Sequence, residues 1–85
     1  MGKTLLIILV ANRSKSAVSV QKALTEFGCI IKTRLGIHDG VLTHCSNTGL
    51  IILELVGEKA RVKKLAEKIN GILEVKAKLV EISLK

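Results

Sequence analysis

The stretch GIHDGVLTHCSNTGLIILELVG, residues 36–57, decides the fold. Its second half, LIILELV, is apolar and β-branched and must be buried, which reads as a strand over residues 48–56. Its first half carries both histidines and one of the two cysteines in a polar, turn-rich segment that cannot be buried with it. Upstream, residues 29–37 alternate, with Ile31, Thr33, Leu35 and Ile37 on one side and Lys32 and Arg34 on the other, the pattern of a half-exposed strand. The two strands are joined by a hairpin loop over residues 39–47.

Outward from this hairpin, residues 4–10 form a second continuous apolar run, too short for a typical helix, which predicts a strand buried on both faces. The loop ANRSKS follows, and Ser14 or Ser16 is expected to cap the next helix by accepting a hydrogen bond from an orphan amide. In that helix Ala17, Val20, Leu24 and Phe27 recur at spacings of three and four, with Gly28 as the stop. A second helix over residues 58–70 places Val62, Leu65, Ile69 and Ile72 at the same spacing and ends at Gly71. The last strand, residues 73–84, alternates Val75, Ala77 and Leu79 against Lys76 and Lys78.

A shift of 45 positions carries residues 17, 20, 24 and 27 onto 62, 65, 69 and 72, and Leu6, Ile8 and Val10 onto Ile51, Leu53 and Leu55. Two tandem strand-helix-strand halves give β-α-β-β-α-β. The expected fold is therefore α+β and ferredoxin-like: one domain over residues 1–85, with a four-stranded antiparallel sheet of order 4-1-3-2 and both helices on one face.

Composition limits the function. A chain of 85 residues suits one small core, and with Phe27 its single aromatic that core is built from Leu, Ile, Val and Ala. The longest apolar run falls far short of a bilayer span, and no export signal is read at the N-terminus, so a cytoplasmic protein is expected, with reduced cysteines. The net charge of +7 raises nucleic acid as a partner. However, Lys59, Arg61, Lys63, Lys64 and Lys68 share a helix with Glu58 and Glu67, as a solvated surface would, and the chain has no Tyr or Trp on which bases could stack. Direct nucleic-acid binding is not expected.

Chemistry-bearing motifs are sparse. No acid pair, glycine-rich phosphate loop, GxSxG or HExxH occurs, so an enzyme is not expected, and the identity of any cofactor is unknown from the sequence. Asn12, Arg13, Ser14 and Lys15, beside a helix N-terminus, form a candidate site for a small anionic ligand, against the simpler reading of a capped helix start with two solvated cations. His38, His44 and Cys45, with Asp39 between them, are candidate metal ligands, since imidazole and thiolate suit zinc, nickel or copper. The alternative is a polar loop whose side chains meet water. Cys29, at the start of a strand, reads as a small core residue.

The segments ANRSKSA, EFGCIIKTRLGIHD, SNTGLIILELVG and GILEVKAKLVEISL together resemble the small family of iron-only hydrogenase system regulators, over nearly the whole chain. That family is similar to ACT domains and to the C-terminal domain of the nickel-responsive repressor. The resemblance implies a ferredoxin-like regulatory module. In ACT domains amino acids bind near the loop after strand one, often at a glycine; this chain has Asn12, Arg13 and Ser14 there. The repressor's cysteine ligand would fall on Gly49, with His44 and Cys45 nearby but out of register. A transcriptional role would need a separate DNA-binding partner.

Strand parity supplies the last expectation. Glu54 marks the outward set of its strand, so Leu5, Ile7, Leu9, Leu50 and Ile52 should form an apolar strip on the sheet face away from the helices, flanked by Lys32, Arg34, Lys76 and Lys78. A monomer seldom leaves such a strip in water. The expected protein is thus a regulatory or ligand-sensing homo-oligomer, specifically a homodimer packed through that face. A metal-binding protein and a purely structural association subunit are the alternatives.

Overall fold

The computed structural model describes residues 2–38 and 48–84, with the His38 side chain left aside. Its elements are β1 (Gly2–Val10), α1 (Arg13–Glu26), a 3-10 turn (Gly28–Ile30), β2 (Ile31–His38), β3 (Gly49–Leu55), α2 (Lys59–Asn70) and β4 (Val75–Ser83). The four strands form one sheet of order β2-β3-β1-β4, and every neighbouring pair is antiparallel. This is the ferredoxin-like α+β arrangement. The hairpin loop expected over residues 39–47 lies outside the described residues. None of the described helices is long and apolar enough to cross a membrane.

The register explains why the apolar runs became central strands. Leu6 pairs with Leu53 on one side and Leu79 on the other, and Ile8 with Ile51 and Ala77. Side chains directly opposite one another across a ladder share a face. Leu6, Ile8, Leu53 and Leu55 therefore lie together under the helices, buried against Val20, Leu24 and Phe27 of the α1 side and Val62, Leu65 and Ile69 of α2. Side chains tie α2 to β4 and to α1. Asn70 donates from Nδ2 to the Ala77 carbonyl at 3.0 Å and accepts from the Ala77 amide at 2.7 Å. Arg61 lies over the Phe27 ring, 4.6 Å from its centroid. Lys68 reaches Glu26 at 2.7 Å.

Four local expectations are corrected. Neither Ser14 nor Ser16 caps α1. The helix starts at Arg13, Asn12 holds the cap position without a side-chain cap bond, and both serines lie inside the helix. Ser16 is 3% exposed, and its Oγ donates to the Leu73 carbonyl at 2.8 Å. Ala17 is exposed, and Ala23 joins the core in its place. Cys29 is exposed, because the 3-10 turn intervenes between α1 and β2 and the strand begins only at Ile31. Finally, Arg34 does not flank the outer strip. A bulge between Ile31 and Thr33 takes up Lys32 and reverses the parity of the strand, so that Ile31 pairs with Leu55, Thr33 with Glu54 and Arg34 with Leu53. Because Leu53 is fully buried beneath the helices, Arg34 projects on the helix side.

Candidate functional site: a groove beside the first helix and an open sheet face

The same bulge that moves Arg34 builds the first candidate site. Ser16, through Leu73, ties the first turns of α1 to the segment leading into β4, at the sheet edge opposite β2. The strip of sheet at β2 and β3 beside α1 is left incompletely covered, and Ile51 is only half-buried there. A cavity of about 320 Å³ opens along it, with Val10, Val20 and Ile51 among its apolar walls. Arg13 from α1 and Arg34 from β2 both line it, and so do Ala17 and Gln21; no carboxylate does so among the described residues.

Two glycines shape this groove. At Gly36, also on its lining, a Cβ would meet nothing within 4 Å, so the wall is open backbone. At Gly49 a Cβ would meet Arg13 Cδ at 3.0 Å and Cγ at 3.4 Å, so the aliphatic stem of Arg13 rests across the bare start of β3. Long cationic side chains commonly lay their methylenes on apolar surface with the charge at the edge. Of the four residues proposed from sequence for an anionic ligand, the structure brings Arg13 to the groove. Asn12 adjoins it as the residue before α1, and Ser14 and Lys15 are exposed and off the lining. Arg34, Gln21 and Gly36 were not foreseen. An isolated glycine within a strand pattern, which often marks a close approach, was the available signal.

The second candidate surface is the sheet face away from the helices. The registers place its side chains in rows across the strands. Leu35, Ile52, Ile7 and Lys78 form one row, Ile37, Leu50, Leu9 and Lys76 the next, and Thr33, Glu54, Leu5 and Val80 a third. Leu9 is 50% exposed and Leu35 52%, while Leu5, Ile7, Leu50 and Ile52 are half-buried by their neighbours alone. The strip is wider than expected, because the bulge brings Leu35 and Ile37 onto it. Cations flank it on β4 through Lys76 and Lys78. At its far end Lys3 donates to Glu54 Oε2 at 2.8 Å, and Lys32 lies 3.9 Å from the same oxygen. The hydrogen bond from Lys3, with the positive charge of Lys3 and Lys32, holds the Glu54 carboxyl below its ordinary pKa, against a smaller opposing effect of desolvation.

The third candidate, the metal set, lies outside the described residues for His44 and Cys45, and so does the His38 side chain. Among the described residues no three His, Cys, Asp or Glu side chains gather as a metal site.

No family model and no curated protein matches this chain. Solved structures do. The uncharacterized protein TM1266 from Thermotoga maritima is similar with a TM-score of 0.81 at 26% identity, over 98% of this chain and 100% of that one. The apo form of CPII from Thiomonas intermedia K12, a nitrogen regulatory PII-like protein, gives a TM-score of 0.63 at 12% identity, over 96% of this chain and 90% of that one. The same protein bound to ADP, AMP and bicarbonate gives 0.59 at 12% identity, over 100% and 97%. The shared feature with the PII-like proteins is the fold.

Proposed function

We propose that the protein is a non-enzymatic regulatory module that senses a small anionic ligand and works as an oligomer joined through its open sheet face. The observation that carries the reading is the groove, which sets two guanidinium groups on an otherwise largely apolar cavity with no described acid on its lining. Arginine is a five-donor cation that stays protonated, so the two lining arginines can hold an anion but do not take or give a proton at neutral pH. That supports binding rather than catalysis. CPII supports it in kind, being a regulatory protein on this fold that is bound to ADP, AMP and bicarbonate. The resemblance to the iron-only hydrogenase system regulators agrees with a regulatory role, and membership of that family and a cytoplasmic setting are part of the proposal.

The oligomer rests on the apolar rows. At about 4.8 Å between strands and about 3.4 Å per residue, the three rows span roughly 400 Å² in projection, about two thirds of it apolar, a size at which a surface patch is often functional. A second copy of the chain is the partner that fits. The patch is apolar at its centre and carries Lys76, Lys78 and the Lys3–Glu54 pair toward its margins, so two copies meet through Leu and Ile with the charges at the rim.

Thermal melting against a panel of anions tests the sensing role. Binding to the folded state alone raises the melting temperature with ligand concentration. A saturable rise with at least one of phosphate, bicarbonate, nucleotides or small carboxylates is expected, and it should be lost in Arg34→Gln. A melting curve unmoved by all of them would contradict the reading.

A further inference from the structure

We propose that two copies pairing through the open sheet face build an anion site between them, formed by Lys76 and Lys78 of each copy and complete in neither alone. The inference rests on the face-to-face pairing above and names what regulates it, a compact divalent oxyanion. The rows across the strands narrow the geometry. Leu35, Ile52 and Ile7 end in Lys78, and Ile37, Leu50 and Leu9 end in Lys76, so each row is three apolar residues closed by a cation on the edge strand β4. Aligned packing keeps the strands of two facing sheets within about 30° of each other, so the twofold axis runs either along the strands or across them. Along the strands, the apolar triplets meet only if the copies shift until both β4 strands overhang. Across the strands, with the axis between the two rows, each strand lies over its own counterpart. Leu35, Ile52 and Ile7 then face the partner's Ile37, the partner's Leu50 and the partner's Leu9, and all four strands stay in the contact. Stable pairs bury about 800 Å² on each partner, while the three rows span only roughly 400 Å² in projection, so the pairing has no strand to spare.

That arrangement sets Lys78 opposite the partner's Lys76, and does so twice along one edge. Successive outward residues of a strand stand about 6.8 Å apart and packed sheets about 10 Å apart, so four flexible ammonium groups come within reach of one small ion. Both lysines are exposed, and neither joins an ion pair among the described residues, whereas Lys3 and Lys32 at the far end of the face already share Glu54. Like charges brought together across an interface oppose association. A divalent oxyanion reverses the sign, because its oxygens accept from several ammonium donors at once. Chloride only screens the repulsion. A single copy offers two solvated lysines, whose hold on an ion in water is slight. Anion uptake and pairing are therefore linked, and each strengthens the other.

Sedimentation equilibrium of the full chain in sodium chloride and in sodium sulfate at matched ionic strength tests the proposal. The dimer dissociation constant of the wild-type protein is expected to be lower in sulfate by about tenfold or more. Lys76→Gln/Lys78→Gln should pair at least as tightly as wild type in chloride and respond to sulfate by less than about twofold. Sulfate also strengthens apolar burial in general, but it does so alike in both proteins, so their difference isolates the lysines. A wild-type dissociation constant equal in the two salts, or a double variant as responsive to sulfate as wild type, overturns the proposal and leaves the pairing standing. A wild-type protein that stays monomeric in both salts at about 1 mM chain, the weak end of specific association, overturns both.

Discussion

The stem of Arg13 lies across Gly49, so close that a Cβ on the glycine would sit 3.0 Å from Arg13 Cδ. One residue opens α1 and the other opens β3, and the missing side chain of the second lets the guanidinium of the first reach the groove. Gly49→Ala should separate stability from binding. The alanine gains about 0.4–1 kcal/mol by restricting the unfolded chain, and moving a flexible arginine offsets part of it. The melting temperature is expected to stay within a few degrees while anion affinity falls several-fold, as read by melting with and without ligand. Unchanged affinity would remove Arg13 from the site.

Gly57 is constrained differently. Its φ of +98° lies where side chains are strained, and a Cβ would meet Ile30 Cγ2 at 3.1 Å. Gly57→Ala is expected to lower stability by about 1–3 kcal/mol in urea denaturation. A neutral effect would mean that the turn between β3 and α2 relaxes freely.

Much of this architecture was legible from the chain because its strongest signals are local. The runs containing Leu6 and Ile8, and Leu53 and Leu55, admit no exposed strand, and the spacing of Val62, Leu65 and Ile69 leaves one face for α2. The candidate site was far less legible. A single inserted residue, Lys32, reverses the faces of β2 without any mark in composition, so Arg34 was assigned to the wrong side of the sheet. Ser16 is buried by virtue of the Leu73 carbonyl, 57 positions away, a partner that periodicity cannot reveal. The groove itself exists only where Gly36, Gly49 and the first turns of α1 meet in space.

The Ser16 bond is open to a direct test. Ser16→Ala fits the buried position and suits a helix, but leaves the Leu73 carbonyl without this donor. A loss of about 1 kcal/mol is expected in chemical denaturation. A gain in stability would show that helix propensity outweighs the bond.

Glu54 contributes a pH dependence whose sign follows from its lowered pKa. The unfolded chain binds a proton on this carboxyl more readily than the folded one, so its stabilising effect is full above the unfolded carboxylate range. That effect is lost as pH falls through the folded value. The pair is solvent-accessible and the contribution is small and salt-sensitive. Lys3→Met is expected to flatten the acid limb of stability against pH at low salt. An unaltered limb would show that the contact with Lys3 does not hold the carboxyl ionised.

Light scattering of the wild-type protein and of Ile52→Glu tests most directly the claim that the module works as a pair sharing its open sheet face. Ile52 stands in the row between Leu35 and Ile7, where a carboxylate would have to be desolvated in the contact. The wild-type protein is expected at twice the chain mass of 9.2 kDa, and Ile52→Glu at the single-chain mass or unfolded. A wild-type protein of 9.2 kDa, or an Ile52→Glu variant with unchanged dimer mass and melting temperature, would contradict it.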